Sequence, residues 1–164
     1  MQPIYTQTMA GTGGSISFNN IPQTFTDLKL VGSARGTNSA LSITAVLYLN
    51  GDTSLGSFTY LYGNGSATGS SRASGYIDGV IIPSATSTAS TFGNFELYIP
   101  NYTSSNFKSI ISDAVGENNA TAADQGLRSI LWRSTSAITQ IGFNLGAGNF
   151  AANSTFTIYG ITKG

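Results

Sequence analysis

The side chains able to do covalent or proton-transfer chemistry are few. The chain has no histidine and no cysteine, and its seven carboxylates are Asp27, Asp52, Asp78, Glu96, Asp113, Glu117 and Asp124. Without an imidazole or a thiol, Ser–His–Asp and Cys–His nucleophilic schemes have no base and no sulfur nucleophile. Zinc sites built from His or Cys are excluded on the same ground. No GxxxxGK[ST] or GxGxxG sequence sits between a strand and a helix, so no phosphate cradle is legible.

Two chemistries survive. Glycoside hydrolysis needs only two carboxylates flanking a sugar, but none of the seven stands in a telling arrangement. Glu96 lies between Phe95 and Leu97 and faces away from them, as an outward polar residue of a half-buried strand does. Calcium takes Asp and Asn oxygens, and Asn50-Gly51-Asp52 and Glu117-Asn118-Asn119 supply them, yet each reads first as a turn. Tyr60, Tyr62, Tyr98, Tyr102 and Trp132 are candidates for a sugar-stacking platform. The competing reading, that they cover the core or a subunit interface, is favoured because Trp132 follows Ile130 and Leu131. The N-x-[ST] triplets at Asn64, Asn101, Asn119 and Asn153 follow from an Asn/Ser/Thr-rich composition. The expected catalytic, cofactor and metal residues are therefore none, and the chain reads as a non-enzyme.

The elements that would position a site are strands. Charged residues make up 9% of the 164, against roughly 25% in an ordinary soluble domain. Ser, Thr, Asn and Gly take their place, while 40% apolar and 11% aromatic residues suffice for a core. Residues 41–49 alternate with period two, placing Leu41, Ile43, Ala45, Leu47 and Leu49 on one face. Asn50-Gly51-Asp52 is a strong turn signal, and Phe58, Tyr60 and Tyr62 then share a face, so a hairpin is expected over 41–62. Further strands are expected near 4–8, 15–18, 26–34, 71–82, 92–99, 107–115, 128–133, 138–145 and 155–161. Phe95, Leu97 and Ile99 form one inward row. Phe156, Ile158 and Gly160, or alternatively Thr157, Tyr159 and Ile161, form another. Residues 63–70, 83–91 and 116–126 read as loops. With no amphipathic helix between the strands, one all-β domain over 1–164 is expected, a two-sheet antiparallel sandwich of jelly-roll type. An immunoglobulin-like sandwich is the alternative, but its Cys–Trp–Cys signature is absent.

The formal net charge is zero and the seven Lys and Arg residues are scattered singly, so no basic stripe is available for nucleic acid. No apolar run approaches the ~20 residues of a membrane span. Met1-Gln2-Pro3-Ile4-Tyr5 lacks the basic and apolar regions of a signal peptide, and synthesis in the cytoplasm is expected. A near-neutral surface favours association, and a homo-oligomer is expected.

Four segments carry a resemblance. Thr24-Phe25-Thr26-Asp27-Leu28-Lys29-Leu30-Val31-Gly32-Ser33-Ala34-Arg35, Leu49-Asn50-Gly51-Asp52 and Trp132-Arg133-Ser134-Thr135-Ser136-Ala137-Ile138-Thr139-Gln140-Ile141 resemble a recurring domain of tailed-bacteriophage virion proteins. The closing Gly148-Asn149-Phe150-Ala151-Ala152-Asn153-Ser154-Thr155-Phe156-Thr157-Ile158-Tyr159-Gly160-Ile161 is similar to the usual end of such domains. The resemblance covers about Pro3 to Ile161 and implies a non-enzymatic particle component located in the virion. With no coiled-coil shaft or β-helix repeat in the sequence, a capsid decoration (cement) protein is expected, bound to the major capsid protein or other virion proteins and guessed to be trimeric. The alternative is a tail or fibre-tip module holding host surface glycan, and a glycan depolymerase comes third. Asp27, Lys29 and Arg35 are expected to pair with one another or with a neighbouring subunit. The expected contact elements are residues 1–8, 63–70 and 116–126.

Overall fold

The computed structural model describes residues 1–11, 13–118 and 122–163, the side chains of Asn118 and Ala122 excepted. Twelve strands run in order: β1 (Gln2–Thr8), β2 (Ser15–Phe18), β3 (Asp27–Ala34), β4 (Ser42–Leu49), β5 (Gly56–Gly63), β6 (Thr68–Ser74), β7 (Asp78–Pro83), β8 (Gly93–Ile99), β9 (Lys108–Asn118), β10 (Ala122–Trp132), β11 (Ile141–Leu145) and β12 (Thr155–Ile161). Every pairing is antiparallel. One sheet has eight strands in the order β1-β12-β3-β8-β9-β10-β5-β6, and the other has four, β2-β11-β4-β7. There is no helix among the described residues.

The strand order is that of a jelly roll with one modification. An eight-strand jelly roll puts its first, eighth, third and sixth strands in one sheet and its second, seventh, fourth and fifth in the other. Counting from β2, the small sheet obeys this order. The large sheet obeys it if the meander β8-β9-β10 stands in for the seventh strand. β12 and β1 then extend the sheet past β3. The expected two-sheet sandwich is thus present, with its large sheet widened by the meander and, at one edge, by β12 and β1.

The core follows from the period-two alternation. Leu28 and Leu30, Phe95, Leu97 and Ile99, Ile110, Ile130 and Trp132, Phe156 and Ile158 point inward from the large sheet, all buried. Ala45, Leu47, Leu49, Val80, Ile82, Ile141 and Phe143 meet them from the small sheet. Phe143, Phe95, Phe156 and Phe150 form a cluster with ring centroids 5.2–6.2 Å apart. Gly32 makes room for it, since a Cβ there would lie 2.3 Å from Phe95 Cζ.

Several local expectations are corrected. Asn50 and Gly51 do form a tight turn, both with positive φ, closed by a Leu49–Asp52 bridge. The turn does not make a hairpin, because β4 pairs with β7 and β11 while β5 joins the other sheet. Asn50 is tied to Ala137, Thr139 and Gln140, and Asp52 to Ser54, Leu55 and the Trp132 indole, which carry the chain across the core. Residues 71–82 are two strands, β6 and β7, broken at Gly75 where φ is +92°. Most of 63–70 belongs to the β5–β6 hairpin, whose turn is capped by Asn64 Oδ1 accepting from the Ser66 and Ala67 amides. The span 116–126 lies largely in the paired ends of β9 and β10. Residues 138–140 precede β11 as a loop. Residues 84–92 are irregular as expected, and the Arg35 guanidinium clamps them by donating to the Ser87, Thr88 and Thr91 carbonyls.

Candidate interaction surface

The large sheet has a second face, turned away from the core. Backbone register lines up Lys29, Tyr98, Ile111, Ser129, Thr59 and Arg72 across six strands. The next row is Val31, Glu96, Asp113, Leu127, Leu61 and Ser70, and the next Ser33, Asn94, Val115, Gln125, Gly63 and Thr68. A fourth, shorter row holds Ser109, Leu131, Ser57 and Ser74. Ile111 is 61% exposed, Leu61 54%, Leu127 44% and Val115 42%. Leu61 and Leu127 are direct cross-strand neighbours, and Ile111 lies one diagonal step from Leu127. These four side chains form one exposed aliphatic group, the kind of feature that marks an interaction site rather than a scatter of surface residues.

Small residues between the aliphatics leave grooves. The largest, about 960 Å³, runs between Tyr98, Ile111, Leu131 and Arg72 over the hydroxyls of Ser57, Thr59, Ser109 and Ser129. A second of about 660 Å³ lies over Val31, Glu96, Asp113 and Val115, and a third of about 430 Å³ over Leu61, Gly63, Thr68 and Leu127. The surface therefore offers apolar ridges and hydroxyl-lined troughs.

Charge on this face is sparse and partly committed. Lys29 Nζ lies 2.7 Å from Glu96 Oε2, a partly exposed pair contributing about 0–1 kcal/mol. Glu96 faces outward, as its place between Phe95 and Leu97 requires. Tyr98 is fixed as a groove wall because its hydroxyl donates to Asp27 Oδ2 at 2.6 Å. Asp27 also accepts from the Asn101 amide at 2.8 Å and lies 3.6 Å from Lys163 Nζ. Burial by itself would raise the Asp27 carboxyl, but these partners outweigh it and hold the group below its ordinary range. The hydrogen bond to Asp27 pushes the Tyr98 phenol up. The expected mutual pairing of Asp27, Lys29 and Arg35 does not occur, since each is bound elsewhere.

The remaining charged residues are mostly structural. Lys108, 1% exposed, donates to the carbonyls of Ser104, Asn106 and Ser136 and lies over the Trp132 ring. Burial lowers its ammonium. Arg128 Nε lies 3.0 Å from Asp78 Oδ1 between the sheets, with the Tyr60 ring 4.1 Å from its guanidinium carbon. Desolvation raises the Asp78 carboxyl despite that partner.

The residues singled out by sequence do not assemble. Tyr102 and Trp132 are core residues, Tyr98 belongs to the outer face, and only Tyr60 and Tyr62 stack, at 5.2 Å. Asp52 is occupied as a turn and indole acceptor. Asn119 lies outside the described residues, and among the described residues no three acidic, His or Cys side chains gather for a metal. The outer aliphatic group itself was missed. Its signal is apolar residues on both parities of one strand: Ile110 with Ile111, Leu61 between Tyr60 and Tyr62, and Leu127 before Ile130. A one-sided sheet alternates instead. Comparison with known proteins returns no match to this chain, whether among family models, curated proteins or solved structures.

Proposed function

We propose that the protein is a non-enzymatic virion component, a decoration protein that lays the outer face of its large sheet against an assembled bacteriophage shell and reinforces it. The observation that carries this reading is the exposed group Leu61, Ile111, Val115 and Leu127 on a broad sheet surface. Six strands about 4.8 Å apart and four rows about 6.8 Å apart span roughly 24 by 20 Å, or about 490 Å². That is a little over half of the roughly 800 Å² per partner of a standard specific interface. The charged residues of this face are Lys29, Glu96, Asp113 and Arg72, of which Lys29 and Glu96 pair with each other. The resemblance of residues 24–35, 132–141 and 148–161 to virion domains supplies the partner, the major capsid protein, and a homotrimer as the associating unit. A subunit that binds only the assembled shell stabilises it by mass action.

The test uses shells lacking the protein. Added wild-type protein should co-sediment with them and raise the temperature at which they release DNA, whereas Ile111→Asp/Leu127→Asp should stay in the supernatant while remaining folded. If particles without the protein are equally robust but no longer adsorb to cells, the reading is overturned in favour of receptor binding. Light scattering checks the trimer.

A further inference from the structure

A smaller feature lies on the other side of the same sheet, where β5 ends and β10 begins. Tyr60, Tyr62, Asn64, Ile81, Asp124 and Gln125 enclose a pocket of about 160 Å³. Its wall is built by glycine. Tyr62 lies over Gly69 of β6, where a Cβ would sit 2.5 Å from the Tyr62 hydroxyl oxygen. The Tyr62 ring is stacked on Tyr60, with planes 24° apart, and stays 38% exposed. Tyr60 is fixed in turn by the Arg128 guanidinium.

The pocket also holds an unused acceptor. Asp124 Oδ1 is shut off from solvent and has no hydrogen-bond partner. Asp124 Oδ1 and Arg128 Nη1 are the buried side-chain atoms without a protein partner among the described residues, so the carboxylate that lines the pocket keeps acceptor capacity for a guest. A carboxylate turns readily about its terminal bond, which brings this acceptor to a guest. The guest's chemistry follows by matching. An anion is repelled by Asp124 and by Glu117, whose charge reaches it. A divalent cation needs several hard oxygens, and no three acidic side chains gather among the described residues. An apolar guest would leave the acceptor unsatisfied. A sugar ring offers both an O–H donor for the carboxylate and a C–H face for an aromatic wall.

We propose that this pocket is a carbohydrate-binding subsite in which a pyranose ring lies against Tyr62 and one of its hydroxyls donates to Asp124. The subsite differs from the docking face, since Tyr60 and Asp124 alternate with the outward-facing Leu61 and Gln125, and only Tyr62, Gly63 and Gln125 border both. Saturation-transfer NMR on the intact protein with glucose, galactose, mannose and N-acetylglucosamine at millimolar concentration tests it. At least one sugar should receive transfer, and Asp124→Ala and Tyr62→Ala should each weaken that sugar's binding tenfold or more. Tyr62→Ala carries the test by itself if Asp124→Ala fails to fold. Leu127→Asp, on the docking face, should leave sugar binding unchanged. Three results would overturn the proposal: no transfer to any of the four sugars, equal binding by both pocket variants, or equal transfer to glycerol or free lysine.

Discussion

The outer faces of the two sheets are built from similar residues and end in opposite states. On the small sheet, Tyr48 lies flat over Gly142 and its hydroxyl donates to the Ile16 carbonyl. Gln140 bridges to Ser17 and Asn19. None of the large exposed apolar side chains comes from β2, β4, β7 or β11. On the large sheet, Leu61, Ile111, Val115 and Leu127 stand open over serine and threonine troughs. One sequence of low charge thus seals one face with an aromatic lid and leaves the other uncovered. Composition cannot account for the difference, because both faces draw on the same pool of residues. The difference lies in which side chains are covered, and the large face is the one left open.

The largest expected effect tests the sealed face. A Cβ at Gly142 would lie 2.1 Å from Tyr48 Cζ and 2.4 Å from the Ile16 carbonyl oxygen. The backbone oxygen is fixed by the β2–β11 pairing and cannot give way. Gly142→Ala should lose about 3 kcal/mol, the upper end of overpacking costs, read by urea denaturation. A loss under 1 kcal/mol would show that the lid is loose and the contrast between faces weaker than described.

A middle-sized effect tests how the open face is held. Asp27→Asn removes the charged acceptor of Tyr98 and Asn101 and should cost about 1–3 kcal/mol. The sign with pH follows from the lowered carboxyl. The folded state holds this proton less tightly than the unfolded chain, whose Asp titrates near about 3.9. The stabilisation is therefore complete above that value and is lost as pH falls through the lower folded value. Wild type should lose this increment on acidification below about pH 4, and the Asn variant should lack that part of the slope.

The smallest effect is the sharpest contrast. Ile111→Thr and Leu127→Thr should each change stability by no more than about 0.5 kcal/mol, as surface substitutions do. Thermal or urea unfolding of the purified protein checks this. Losses of 2 kcal/mol or more, the range of core truncations, would mean that the open face is part of the fold rather than a docking surface.

The fold was legible in the sequence wherever apolar and polar residues alternate against a single core. Of the row Leu41–Ile43–Ala45–Leu47–Leu49, the last three are buried and the first two half-buried, Phe95–Leu97–Ile99 is buried as read, and Phe156–Ile158 is the buried row of β12. Sheet membership was not legible. The Asn50–Gly51 turn looks the same from the sequence whether its strands pair or cross, and the side-chain bonds of Asn50 and Asp52 that decide the matter reach residues 80 or more positions away. Strand length failed at 116–126 for another reason. Gly116, Asp124 and Gly126 carry no hydrophobic signal, and what makes them strand is their backbone pairing in the β9–β10 ladder. The outer face was lost because a strand apolar on both sides reads as an ordinary core strand.

The pairing of β1 with β12 sets an order of events during folding. It brings Gln2 beside Gly160, whereas β9 and β10 are close in sequence and pair along eleven residues each. Closing a loop costs entropy that grows with its length, and chains dominated by distant pairings fold slowly. On this ground the β9–β10 pair is expected to form early and the β1–β12 pairing late. Wherever β12 is not yet docked, β3 would present an unpaired edge beside the aromatic cluster, the kind of edge that pairs with a second chain.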